Sequence, residues 1–490
     1  AMTALKNSSI INNGYIKIDS YNASVGMVAS EDSTATNYGK GINTKDNSNG
    51  INMNFSGYAD YATIVGMYAD TKSTITNHGD IHGTAIEAAE NPLTQKEENA
   101  TETSGLSDGK LGETSGSTEE QVQTTANTGT LIGMEAMILN VGKDLSSDVI
   151  TVLNGTNGNI RLVAGDSGAS ENEVKVGLVG MGSFLDNAFL NGSHITSRAE
   201  NVKLTNEGTI NLSYTGNYTS SSNTALRKGT GGIVGMRSDA NTSALNVGNI
   251  GIYLYDEFQN EGVDVAAGMQ SVHGGNITNE GNISISTPTE NARINYGMLA
   301  VEGSGANSSL YTNIKPNVLN SGDISILLSN SFGMASFVGG TLHNDGNITV
   351  GSEETRFNNN IAMYGFGDTQ KTDFQNTGTI DIYSHKSIAM QNDYAGGTDI
   401  INNGIVNIHE SALDSYVFGG SYSRIYNANT INYNATSSTQ ENPASHGVTY
   451  NPFQNYKIAV GTSIISSKAR SIKTDKVDFS SSSIIYSSSS

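Results

Sequence analysis

Ile277-Thr-Asn-Glu-Gly-Asn-Ile-Ser-Ile285, followed by Tyr296-Gly-Met298, contains both halves of a signature that runs the length of the chain. The first half reads apolar-x-Asn-x-Gly-x-Ile-x-apolar. It returns at Ile10 to Ile18, Ile75 to Ile81, Leu204 to Leu212, Val318 to Ile326, Leu342 to Val350, Phe374 to Ile382 and Ile400 to Ile408. The second half is a small or apolar run closed by Gly-Met, found at Val25-Gly26-Met27, Val65-Gly66-Met67, Ile132-Gly133-Met134, Val179-Gly180-Met181, Val234-Gly235-Met236, Ala267-Gly268-Met269 and Phe332-Gly333-Met334. The halves alternate, so the chain is an array of one short unit.

The step from the Gly of Gly-Met to the next Asn-x-Gly glycine is 13 residues at Gly26 to Gly39, Gly66 to Gly79, Gly235 to Gly248, Gly268 to Gly281 and Gly333 to Gly346. The return step varies: 12 residues for Gly14 to Gly26, 16 for Gly281 to Gly297 and 27 for Gly208 to Gly235. One half of the unit therefore reads as framework and the other as loop-bearing.

Gly-x-Ile-x-Ile has the period of two that marks a strand, and Asn, Gly, Ser and Thr crowd its borders. No segment sustains helical periodicity. Many short strands at a fixed repeat, without helices for crossovers, predict an all-β right-handed parallel β-helix with irregular loops on one side. Weaker copies at Asn37-Tyr38-Gly39, Gly158-Asn159-Ile160, Asn246-Val247-Gly248, Ile361-Ala362-Met363, Ile388-Ala389-Met390 and Val417-Phe418-Gly419 bring the count to about 12 rungs, a rod roughly 60 Å long at the usual strand spacing. The five prolines (Pro92, Pro288, Pro316, Pro443, Pro452) all fall outside both motifs, as stacked strands require.

Glycine in Asn-x-Gly suggests a left-handed turn residue, for which Asn429 would substitute in Ile425-Tyr426-Asn427-Ala428-Asn429. The first Asn of the motif (Asn12, Asn77, Asn206, Asn279, Asn320, Asn344, Asn376, Asn402) is expected to stack on its counterpart one rung away as an amide ladder. The alternative is a turn residue capping its own backbone. The Met residues of Gly-Met read as core filler.

These patterns divide the chain into rungs over 1–86, an acidic Glu/Ser/Thr/Gly-rich insertion over 87–125, further rungs with variable loops over 126–465, and a Ser-rich tail or last rung over 466–490. The insertion is the most charged stretch: Glu87 to Gln121 holds eight Glu, one Asp and two Lys, and reads as a long solvated loop.

Only 15% of the 490 residues are charged, there is no Cys or Trp, and the net charge is −21. Such an acidic surface disfavours nucleic acid and anionic membranes, both of which ask for a basic footprint. A large secreted chain without cysteine fits a bacterial surface protein held by stacking rather than by disulfides. No signal peptide or apolar run long enough to span a membrane is present, and the end Phe479 to Ser490 does not read as a membrane-barrel strand. The chain reads as an excised extracellular fragment.

Alternating units such as Ile277 to Ile285 and Tyr296-Gly-Met298 resemble the passenger domains of type V autotransporters, with the large surface adhesins of fusobacteria as the nearest likeness. The resemblance covers Ile10 to about Val460. It implies export, passage through an outer-membrane β-barrel that this sequence lacks, and display at the bacterial cell surface for adhesion.

Other chemical motifs in the chain are incomplete. Gly165-Asp166-Ser167-Gly168 resembles the nucleophile segment of trypsin-like proteases, but only His78 and His82 precede it, both in or beside a rung motif. His78 and His82 have zinc-like spacing, which aligns two imidazoles only on a helix. Asp46 to Gly50 lacks the closing carboxylate of a calcium loop. A polysaccharide-processing β-helix needs convergent carboxylates, whereas Asp239, Asp256, Glu257, Asp264, Asp323, Asp345 and Asp381 are scattered. No catalytic residue, metal or cofactor is therefore expected.

Tyrosines in the variable segments suit receptor contact, having a rigid apolar face and a polar tip. Tyr214 and Tyr218 in one loop, and Tyr433 and Tyr450 in another, are the candidate binding residues. The expected function is an adhesin rod whose loops bind a host-cell or bacterial receptor, glycan or protein. The alternatives are a passive stalk and, less favoured, a polysaccharide-processing enzyme.

Overall fold

A computed structural model describes residues 2–20, 23–40, 50–55, 62–85, 127–139, 149–165, 174–185, 201–215, 232–239, 242–255, 266–287, 295–301, 315–355, 357–366, 372–393, 398–419, 423–427 and 429–434. Among these there is no helix. Three parallel sheets of 12 strands each run side by side, and every strand pairs with the strand three places further along the chain. Each set of three successive strands is thus one turn of a right-handed parallel β-helix, 12 rungs in all. The seventh rung shows the plan: Ala266–Val272 in the first sheet, Asn276–Asn279 in the second and Asn282–Ser286 in the third.

The second and third sheets alternate cleanly. In Asn276–Asn279 and Asn282–Ser286, Ile277, Asn279, Ile283 and Ile285 point inward, and their neighbours face out. Stacking in register repeats each inward residue as a column along the axis. The longest is methionine: Met2, Met27, Met67, Met134, Met181, Met236, Met269, Met298, Met334, Met363 and Met390 pair in sequence and end on Phe418. An unbranched thioether adapts to irregular gaps, which suits a lumen whose other columns vary in size.

The first sheet breaks the alternation at Gly-Met. Ala266 and Met269 belong to the central core, Ala267 lies in a separate apolar cluster on the outer face, and a Cβ on Gly268 would meet Ile283 of the core at 2.4 Å. Gly268 and Met269 therefore both face the lumen, a kink repeated in register on the paired strands, and the preceding residue faces out. Glycine is needed there because the Ile of the third sheet already fills the space; Gly235 meets Ile250 and Gly180 meets Ile210 at the same 2.4 Å.

The Asn column is continuous over all 12 rungs. Asn12, Asn37, Asn77, Asn154, Asn206, Asn246, Asn279, Asn320, Asn344, Asn376, Asn402 and Asn427 are linked by Nδ2–H to Oδ1 bonds of 2.6–2.8 Å. Each amide also serves its own turn: Asn279 Nδ2 donates to Gly281 O at 3.1 Å, and Gly79 N donates to Asn77 Oδ1 at 3.2 Å. Ladder and turn cap, set out above as alternatives, coexist because an amide has two donors and two acceptor lone pairs. Asn154 and Asn427 complete the ladder from copies whose Asn-x-Gly spacing is lengthened or altered.

One expectation is overturned. The glycines of Asn-x-Gly are not left-handed. A Cβ on Gly248, Gly281, Gly322 or Gly346 would instead lie 2.0–2.1 Å from the glycine carbonyl oxygen of the preceding rung. Glycine is required by close stacking of the turns, not by φ. Left-handed residues sit at the other two corners, at Lys6, Asn7, Glu31, Asp32, Thr71 and Lys72 between first and second sheets, and at Asn330, Asn359, Lys386 and Asp414 between third and first.

The division into a constant and a variable half also needs revision. The corner between second and third sheets is the steadiest, usually just the two residues that separate strands such as Asn276–Asn279 and Asn282–Ser286. Long connections occur on both edges of the first sheet. On one edge, 86–126, 166–173 and 216–232 precede its strands; on the other, 139–149, 186–201 and 302–316 follow them. The latter three interrupt the half expected to be constant.

Candidate functional site

Because the long connections border the first sheet on both edges, its outer face is where recognition chemistry has to be sought. Two columns of side chains flank Gly-Met on it. The column before Gly-Met is apolar from Val25 through Val65, Ile132, Val179, Val234, Ala267, Tyr296, Phe332, Ile361 and Ile388 to Tyr416. Its members are buried from Val65 onward, so this sheet carries a second apolar layer outside the lumen. Tyr296 stacks on Phe332 at 5.1 Å, and Phe337 closes edge-on over both.

The column after Gly-Met is different. In rungs three to seven it reads Tyr68, Glu135, Gly182, Arg237 and Gln270. Glu135 is 5% exposed, and among the described residues no hydrogen bond or ion pair is made to it. Burial alone pushes its carboxyl up to about 7. Arg237 Nη2 donates to Asp239 Oδ2 at 3.1 Å, and its guanidinium lies 5.0 Å over the Phe184 ring. Asp239 Oδ1 is also 2.7 Å from His273 Nδ1 of the next rung. Burial works to raise the Asp239 carboxyl; the charge and hydrogen bond of His273, then those of Arg237, outweigh it and hold it below its ordinary range.

This Arg–Asp–His group bridges two rungs and leaves atoms over. Arg237 Nε, Gln270 Oε1 and Asp70 Oδ1 are buried without a hydrogen-bond partner. Buried polar atoms in folded proteins are nearly always satisfied, and of these three orphans Arg237 and Gln270 are neighbours in the column while Asp70 lies two residues beyond it.

The tyrosines expected to make contact fare differently. Tyr214 is a correction: it lies in the strand Thr209–Thr215 and is 1% exposed in the central core, because the strand runs two residues past its Ile-x-Leu motif and keeps pointing alternate side chains inward. Tyr433 ends the strand Ile431–Tyr433, in register with the core residue Ile408, rather than standing in a loop. Tyr218 and Tyr450 lie outside the described residues. The named ladder residues Asn77, Asn206, Asn279, Asn320, Asn344, Asn376 and Asn402 all stand in the amide column.

The chemical motifs of the sequence are dispersed. His78 stacks on Tyr38 at the turn, while His82 sits on the strand Asp80–Ala85 beside Arg161 of the next rung, and burial followed by that cation lowers its basicity. Among the described residues no three metal-ligating side chains cluster. Asp323 accepts from Asn347 at 2.7 Å, and Asp381 accepts from Asn407 at 2.8 Å and pairs with His409 at 2.8 Å. These carboxylates tie neighbouring rungs together. Ser167 lies outside the described residues.

Glu135, Arg237 and Gln270 were missed because the repeat had been read for what it keeps. Aligning the copies on Gly-Met puts Val28, Tyr68, Glu135, Gly182, Arg237, Gln270, Leu299, Ala335, Tyr364 and Gln391 at one position, and that variability was the available signal.

Fold and patch together define a β-helix with one elaborated sheet. A family model described as the BigA third pectate lyase-like domain matches residues 179–419, from the fifth rung to the twelfth. That stretch includes Arg237, Asp239, Gln270 and His273 but not Glu135. No curated protein and no solved structure matches the chain.

Proposed function

We propose that this chain is the rod of a bacterial surface protein and acts as an adhesin, binding a host-cell or bacterial receptor without chemical turnover. The observation that carries the reading is the placement of the long connections: they flank the first sheet on both edges, while the corner between second and third sheets is short in every rung but the second, where 38–49 intervenes. A rod that only spaced a distal domain has no need to concentrate its variation along one sheet. The match to the BigA domain model supports a surface β-helix, and the full-length protein would be anchored by an outer-membrane β-barrel.

The test is binding of the purified protein to epithelial cells and to bacterial cells, with unlabelled protein as competitor. Saturable, competable binding is expected. Its absence on both would overturn the adhesin reading in favour of a passive stalk, for which the unbroken amide ladder would suffice. Release of reducing ends from any polysaccharide would point instead to an enzyme.

A further inference from the structure

From the outer face of the second sheet we infer that it binds a second copy of this chain, antiparallel, with the fifth rung of each rod lying across from the tenth rung of the other. The inference goes beyond the adhesin reading, because it adds a homotypic surface on a different sheet from the one that the long connections flank.

Each strand of the second sheet presents two side chains outward, as Lys203 and Thr205 do in Val202–Asn206. Over the first nine rungs Lys203 is the only Lys, Arg, Asp or Glu among them. The outer face of the third sheet carries Lys17, Asp19, Asp80, Arg161 and Asp323 over the same rungs. In place of charge the second sheet offers Thr, Ser, Asn and a column that runs Leu153, Thr205, Leu245, Thr278 and Leu319, all partly exposed. In a protein of net charge −21 most surfaces repel a second copy; this one does not, and depletion of charge is what marks the centre of an interface.

The few charges on this face select the partner and the register. Lys203 and Asp373 stand in one column, in the fifth and tenth rungs, joined through Ser243, Asn276, Asn317 and Thr341. Both are exposed. The Asp373 side chain is 64% exposed although its Oδ2 lies 3.3 Å from His343 Nε2, and Lys203 has no ion-pair partner among the described residues. A twofold axis parallel to the strands, in the contact plane between the seventh and eighth rungs, reverses the rod and leaves each column facing itself. Lys203 then faces the partner's Asp373, and Asp373 faces the partner's Lys203. In the neighbouring column Leu153 meets the partner's Ile401, and Leu319 meets the partner's Thr278. No like charges meet, since Asp399 and Arg424 fall opposite the partner's Thr151 and the partner's Thr74. A parallel pairing, each rung against its own copy, sets Lys203 against the partner's Thr205 and pairs no charges.

Ten facing rungs and strands of four or five residues give a contact on the order of 600–700 Å² a side, a little under the standard interface, so the pair should form reversibly. Rods that project from two facing cells also meet antiparallel.

Sedimentation of the whole chain over a range of concentrations should show a monomer–dimer equilibrium that weakens as salt rises. Lys203→Glu or Asp373→Lys alone sets like charges at both contacts and should raise Kd about tenfold. Mixing the two single variants should restore the dimer, because the introduced acid then meets the introduced base while native Lys203 meets native Asp373. Leu319→Glu, beside the axis, should break the pair independently. All three positions lie on the surface, so circular dichroism and melting should match wild type. A monomer at every concentration, association indifferent to all three substitutions, or a loss that mixing leaves unrepaired would overturn the inference. The epithelial-cell assay does not depend on this contact and tests the adhesin reading separately.

Discussion

Gly322 shows how a residue can be forced by its neighbour rather than by its own dihedral angles. A Cβ there would come within 2.1 Å of Gly281 O and 2.6 Å of Glu280 C, backbone atoms that cannot step aside. A left-handed position tolerates Asn, but Gly322 lies so close on Gly281 that no Cβ fits; Asn429 holds the corresponding position only in the last rung. Gly322→Ala and Gly322→Asn should therefore destabilise the rod alike, by about 3 kcal/mol or more, read from denaturant midpoints. Marked tolerance of Asn over Ala would contradict the stacking account. Glu135 gives a second prediction at this scale. Its folded-state value of about 7 lies above the ordinary 4.5, so the folded protein binds the proton more tightly than the unfolded chain. Stability is then greatest below about pH 4.5, falls as pH rises to about 7 and is level above that, a total of roughly 3 kcal/mol from this group. Glu135→Gln should remove that slope and melt higher than wild type at pH 8.

At the scale of elements, the corners differ in how they hold rung to rung. The corner between second and third sheets uses the Asn ladder. In Asn279→Asp the carboxylate would keep the bond from Asn246 but face Asn320 Oδ1, Gly281 O and Asp323 O, all acceptors. An unpaired buried charge costs about 3–5 kcal/mol, so amide exchange in the flanking rungs should rise sharply, and more than in Asn279→Ser. The corner between first and second sheets in the early rungs spends strain instead: Thr71 and Lys72 both have positive φ, at 33° and 58°. Lys72→Gly should relieve a left-handed side-chain penalty and raise the melting temperature, by the equivalent of about 1 kcal/mol or less. A fall would show that the lysine makes a compensating contact. The strands themselves were legible in the sequence because Ile283 and Ile285 must alternate inward, and the ladder was legible because Asn279 and its counterparts keep one position. The αL corners were not, since Glu31, Thr71 and Lys72 are poor residues for that conformation and register with the next rung imposes it. The outer-face site was not legible either, because its chemistry falls at the one column the repeat leaves free, and Tyr214 looked like a loop residue only because its strand outruns the motif.

For the whole molecule, the consequence of stacking is that each rung answers only to the rungs above and below, so stability is distributed along the axis. The lumen is not uniform along that axis. The position held by Gly26, Gly66, Gly133, Gly180, Gly235, Gly268, Gly297 and Gly333 is taken by Ala362, Ala389 and Val417 in the last three rungs, all fully buried. Those rungs admit side chains where Gly235 admits none, its Cβ meeting both Gly268 O and Ile250 Cγ2 at 2.4 Å. Gly235→Ala should thus break the stack locally at the sixth rung, whereas Ala389→Gly should cost only about 1 kcal/mol, from lost packing and added chain entropy. If rungs act as nearest-neighbour units, Gly235→Ala raises amide exchange in rungs five to seven while rungs nine to twelve keep wild-type protection, and thermal unfolding splits into two transitions. A single cooperative transition, with exchange raised equally from Met2 to Tyr433, would show instead that the columns of Met and Asn couple the rod end to end.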